Sequence, residues 1–144
     1  MSKQIKTIIG FSLCGFFLNF FWETWHGIYL YQEHGISSIK EYVSMIGYVS
    51  SVDAFLLLVI FVVGMLIWKN FFWFQNMNQQ KYWYIVVFAM VIAVAIEIKG
   101  VYMLHQWSYN ELMPIVFGIG ISPLLQLAVT GLLSVWFIQK IYIE

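Results

Sequence analysis

The chain has 144 residues, of which 62% are hydrophobic and only 10% charged, with a mean hydropathy of +0.81. A soluble domain is about a quarter charged, so most of this protein's surface has to face lipid. Seven lysines balance seven acidic residues and there is no arginine, which argues against nucleic acid as a partner and leaves no guanidinium fork for phosphate groups.

A membrane helix needs about 20 apolar residues, so the length suits four spans in one transmembrane domain, residues 1–144. The expected spans are 5–31, 51–69, 82–104 and 114–139. The lone Cys14 has no internal disulfide partner and reads as a small buried residue. The first apolar segment is too long for a signal peptide and is expected to stay as a membrane helix.

Lys3 and Lys6 precede the first span, and Tyr29 and Tyr31 suit its far interface. Asn19, Glu23 and His26 fall at i, i+4 and i+7, on one helical face that Ser12 extends downward. Glu23 lies roughly 27 Å along the helix from Ile5, in the half of the membrane away from the N-terminus. An ionisable side chain at that depth costs roughly 2.5–3.5 kcal/mol on insertion scales, so a chain that keeps one there is expected to use it.

Ser38 followed by Glu41 is a capping-box pattern that starts a helix. Residues 39–51 mix apolar side chains with Lys40, Glu41, Ser44 and Tyr48. They read either as a short amphipathic interfacial segment or as the first turns of one long span. Asp53 is the only charge in the apolar run that follows, and Lys69 ends it. Phe71, Phe72, Trp73 and Phe74 look like an interfacial aromatic belt. In the third span Ala89, Ala93, Glu97 and Gly100 share a face of small residues, which turns Glu97 toward a neighbouring helix. Lys99 faces elsewhere and can snorkel. After a short loop with Trp107, Tyr109, Asn110 and Glu111, Pro114 opens the fourth span. There Gly118, Ser122, Gln126 and Thr130 recur every four residues, and Pro123 is expected to kink the helix.

The lysines also orient the chain. Lys3, Lys6, Lys69, Lys81 and Lys140 share one side of a four-span bundle, against Lys40 and Lys99 on the other. The positive-inside rule then places both termini in the cytoplasm, with loops 32–38 and 104–113 outside. Glu23, His26, Asp53 and Glu97, from three helices, converge in the outer half.

Such a cluster supports three uses. Buried carboxyls can hold a proton near neutrality and work as acid and base, with Glu23 and Glu97 as the pair, His26 as orienting partner and Asp53 beside them. Glu23-x-x-His26 also has the spacing by which di-iron bundles offer ligands from one helix. The second such pair is missing, because Gly100 follows Glu97 by three. A single or mixed metal site from Glu23, His26, Asp53 and Glu97 remains as the metal reading. The third use is a structural hydrogen-bond network. His34 and His105 read as interfacial, and haem ligation by His26 and His105 has no motif behind it. No cofactor follows from the residues. Trp22, Trp25, Trp107 and Tyr109 lie at the level of the cluster, where aromatic faces can stabilise a cationic ligand or intermediate. With Asn19 and Gln126 they are the expected ligand-binding residues.

The elements N-x-x-W-E-x-x-H-x-x-L/Y in the first span, W-S-Y-N-E-L-M-P before the fourth and G-I-G-I-S-P-L-L-Q-L within it resemble a family of small bacterial four-span membrane proteins. The resemblance covers about a third of the chain. It implies four spans, singles out Trp22, Glu23, Trp107, Tyr109, Pro114, Pro123 and Gln126, and implies no substrate. There is also a likeness in kind, without shared motifs, to small membrane isomerases and cyclases that act on sterol or isoprenoid substrates.

The resulting expectation is an all-α integral membrane bundle in the inner membrane, in contact with the lipid bilayer and open to oligomer formation. Its outer-half pocket would bind, or act by acid–base chemistry on, an apolar lipid-like ligand. The rival readings are a proton or metal-ion path, continued inward by Ser122, Gln126 and Thr130, and a structural or assembly subunit.

Overall fold

The computed structural model describes residues 2–32 and 38–143. Four helices carry the fold, each long and apolar enough to cross a membrane. They are α1 (Lys3–Tyr29), α2 (Ile39–Trp68), α3 (Gln79–Glu97, continued by a π-helical stretch Ile98–Met103) and α4 (Ile121–Ile143). The protein is an all-α integral membrane bundle. His34 lies outside the described residues.

Each of the first three helices starts where a short polar side chain can take an orphan N–H. Ser2 accepts from Ile5 N at 3.3 Å, Ser38 from Glu41 N at 3.2 Å and Asn78 from Lys81 N at 3.0 Å. The Ser38 cap makes α2 one continuous helix of 30 residues. Residues 39–51 are therefore its first turns, and Asp53 sits deep rather than near the helix start. At about 1.5 Å per residue α2 is roughly 45 Å long, more than a hydrocarbon core of about 30 Å, so it tilts or projects.

α4 starts at Ile121, later than the sequence suggests. Pro114 instead precedes a two-residue hairpin, β1 (Ile115–Val116) against β2 (Ile119–Gly120). Phe117 and Gly118, at φ 50° and 83°, make its tip. Two positive φ values are what a tight hairpin with the native strand twist requires, and Gly118 supplies the second without steric cost. Pro123 consequently falls in the first turn of α4, where a missing N–H breaks no helical bond, so the expected kink has no cause. Gly118 leaves the four-residue polar stripe, and Ser134 extends it at the other end.

The buried face of α1 repeats every four residues through Thr7, Phe11, Gly15 and Asn19, while Leu13, Phe17, Phe21 and Ile28 stay exposed on the outer surface. Ser12 is off that face, and its hydroxyl returns to Ile8 O at 2.8 Å. Gly15 lets α2 approach: a Cβ there would lie 3.1 Å from Leu57 Cδ1. α1 packs on α2 and α4, and α3 packs on α4. α2 and α3 touch little, which leaves a cleft between them.

The two ends of that cleft are treated differently. At the end holding the N-terminus of α1, the connection after α2 folds inward. Trp73 and Phe74 are each 1% exposed, so this aromatic run is a core plug and not an interfacial belt. Trp73 donates to Phe61 O at 3.1 Å and its ring lies where a Cβ on Gly64 would be, 2.6 Å away. Tyr84 ties α3 to Ile60 O at 2.7 Å, and Gln139 of α4 holds Phe74 O at 2.5 Å. At the other end none of the described residues fills the cleft.

Candidate functional site

That unfilled end is a cavity of about 740 Å³. α2 contributes Ile39, Met45, Ile46 and Val49 to its walls. Ala93 and Ile96 of α3 and Leu127 of α4 face them. The size falls within the range of about 300–1,000 Å³ typical of small-molecule sites, and the apolar walls suit one. Glu23, Asp53 and Glu97 line it, together with Gln126 and Trp107.

Gln126 is the knot between three helices. Its Nε2 donates to Glu23 Oε1 at 2.7 Å, Asp53 Oδ2 at 2.9 Å and Asn19 Oδ1 at 3.0 Å. Asn19 is aimed at it by its own amide, which donates to Gly15 O at 2.8 Å. Gln126 and Asp53 are 4% and 8% exposed. A primary amide has two hydrogens, so three oxygens share two donors. Two carboxyl groups held on one nitrogen inside a membrane repel if both are ionised, which is the arrangement that lets carboxyls exchange a proton.

Glu97 stands on the opposite wall, 4% exposed and turned away from lipid. Tyr109 and Trp107 both donate to its Oε2, the indole at 3.3 Å. The α3–α4 connection brings them there. Its backbone is knitted to the end of α1 by Gln32 N to Ser108 O at 3.1 Å and Asn110 N to Leu30 O at 3.0 Å. The Asn110 amide adds a bond to Tyr29 O at 2.8 Å. Burial, and next the bond to Glu97, push the Tyr109 phenol up from its ordinary range, so it remains a donor. The π-helical turn places Gly100 under the Trp107 ring, where a Cβ would be 2.0 Å from the indole.

His26 is fully buried but turned away from the cavity. Trp22 donates to its Nε2 at 2.7 Å and Ser122 Oγ lies 2.5 Å from the same nitrogen. An indole N–H can only donate, so Nε2 accepts and the ring proton is on Nδ1, which is buried without a partner among the described residues. His26 thus pins α1 to the start of α4. It contacts Trp22 and Ser122 rather than orienting Glu23.

Of the residues expected from the sequence, Glu23, Asp53, Glu97, Trp107 and Gln126 line the cavity. Asn19 stands behind Gln126 and Tyr109 behind Glu97, each one hydrogen bond away. Trp22 serves His26, and Trp25 is 50% exposed on the outside. Among the described residues no group of three or more His, Cys, Asp and Glu side chains is placed to hold a metal ion, so Glu23, His26, Asp53 and Glu97 do not form one ligand set. His105 is exposed and, like His26, does not line the cavity. Tyr31, expected only as an interfacial anchor, and Tyr42, which the sequence did not single out, also line it. A signal for Tyr42 existed in Gly27: a Cβ there would be 2.6 Å from the Tyr42 hydroxyl, which donates to Thr24 O at 2.9 Å.

The fold defines a multi-pass membrane protein, a four-helix bundle with one end of its α2–α3 cleft plugged and the other hollow. No family model, curated protein or solved structure matches the chain.

Proposed function

We propose that this is an inner-membrane protein, with both termini cytoplasmic, whose outer-half cavity takes an apolar lipid- or isoprenoid-like ligand and acts on it by acid–base chemistry. The observation that carries this reading is the cavity itself, about 740 Å³, apolar in its walls and lined by three carboxyl groups. Glu23 and Glu97, on different helices, would give and take the proton. Asp53 shares Gln126 with Glu23 and would serve as its proton relay. Tyr109 and Trp107 would hold the Glu97 carboxyl in place. The resemblance to small bacterial four-span proteins is part of the same proposal.

Metal analysis and lipid mass spectrometry on one purified sample test it. A co-purified apolar lipid, lost when Val49→Trp fills the cavity, is the expected result. A stoichiometric metal and no lipid would overturn it in favour of an ion site.

The ion-path reading has one observation on its side: Thr130 and Ser134 continue the buried polar stripe inward. Their hydroxyls, however, bond back to Gln126 O at 2.8 Å and Thr130 O at 2.7 Å. Beyond them lies the apolar cluster of Phe11, Leu57, Ile60 and Phe61, whose void of about 10 Å³ is at the lower limit for one water. A dry barrier between site and plug favours a ligand pocket over a through-path.

A further inference from the structure

Carboxyl groups alone would make no site, but these three line a cavity large enough for a chain-bearing molecule, and its balance of charge is one-sided. Among the described residues that line it there is no lysine, arginine or histidine. Donors to the acidic groups are equally few. Glu23 and Asp53 draw on Gln126, whose two hydrogens are also sought by Asn19. Among the described residues Glu97 has Tyr109 and Trp107 as donors, both on one oxygen. Gln32, Ser38 and Gln106 are uncharged polar residues of the lining, and the remainder is apolar or aromatic, with Tyr31, Tyr42 and Trp107 around the carboxyls.

A neutral headgroup would bring no positive charge to these carboxyls, and an anionic one would add to their negative charge. An ammonium group supplies three donors and one charge, and aromatic faces beside it add cation–π attraction. The apolar walls of α2 and α3, helices that touch each other little, suit the chain attached to it. We propose that the ligand class of the cavity is the cationic amphiphile: a long-chain amine whose ammonium sits between Glu23, Asp53 and Glu97, with its chain lying between α2 and α3. This rests on the lipid-pocket reading above and narrows it.

The test uses the full chain in phosphatidylcholine nanodiscs and radiolabelled dodecylamine, with dodecanol and dodecanoate as competitors of the same chain length. Saturable dodecylamine binding is expected, lost in Val49→Trp, with dodecanol at least about tenfold weaker because it carries no charge and one donor hydrogen in place of three. Dodecanoate should compete no better than dodecanol. Glu97→Gln and Asp53→Asn should each weaken dodecylamine by about tenfold and leave dodecanol unchanged. If dodecanol or dodecanoate binds the wild-type protein as tightly as dodecylamine, and Val49→Trp abolishes both, the cationic inference is wrong and the pocket reading survives. If no compound shows saturable binding, both are wrong.

Discussion

The indole of Trp107 lies directly on Gly100, so close that a Cβ on the glycine would stand 2.0 Å from the ring. The same indole donates to Glu97, three residues before the glycine on the same turn. Helix α3 therefore carries a carboxyl and, one turn on, the bare backbone on which that carboxyl's donor rests. A π-helical stretch from Ile98 widens the turn at this point, a distortion often found where a helix is shaped for a site.

Gly100→Ala is predicted to displace Trp107, break its bond to Glu97 and destabilise the protein by about 1–3 kcal/mol, the range for overpacking a close contact. Gly47 is the control, since a Cβ there meets nothing within 4 Å. Gly47→Ala should be neutral or gain up to about 1 kcal/mol of helix propensity. Thermal unfolding in detergent compares the two. Equal midpoints would show that Trp107 does not depend on Gly100.

Gln126→Leu removes the donor shared by Glu23, Asp53 and Asn19. Leaving those oxygens unserved is expected to cost about 1–3 kcal/mol. Glu23→Gln keeps shape and most hydrogen bonding and should cost only about 0.6 kcal/mol, the average for bonds between membrane helices. The Glu23→Gln protein is nonetheless predicted to lose its function in a complementation assay, because the amide cannot exchange a proton. Full activity in a stable Glu23→Gln protein would leave the cluster with a structural role only.

Trp73→Ala empties the plugged end of the cleft. Truncating an aromatic residue that is 1% exposed should cost about 3–5 kcal/mol. The residue is remote from the carboxyls, so dodecylamine affinity should be unchanged in whatever folded fraction remains. A parallel loss of affinity would mean that plug and cavity are coupled.

Topology is tested by reporter fusions. Fusion after Glu144 is predicted to show cytoplasmic activity only, and an insertion between Asn110 and Glu111 periplasmic activity only. Periplasmic activity at Glu144 would turn the cavity toward the cytoplasm.

Much of this molecule is local in its sequence. Runs of apolar residues longer than a bilayer is thick can only be helices, because no other chain segment satisfies its own backbone inside lipid. Periods of four placed Asn19 and Glu23 on one face of α1, and Ala89, Ala93 and Glu97 on one face of α3, and those faces are the buried ones. Ser38 was legible as a cap, but whether it opened an interfacial segment or a long span depended on packing beyond it. What only the tertiary structure decided is pairwise and distant. The two hydrogens of Gln126 fall among oxygens from two other helices, more than 70 residues away in the chain. His26 looked like the partner of Glu23 because three residues separate them, yet its ring is held by Trp22 and by Ser122 of α4. Trp73 read as an interfacial anchor by composition and became a plug because Gly64 opens room for its ring. Helical spacing sets which way a side chain leaves its own helix. Which helix meets it there is set by how the spans pack, and in this protein that packing leaves α2 and α3 apart around a cavity.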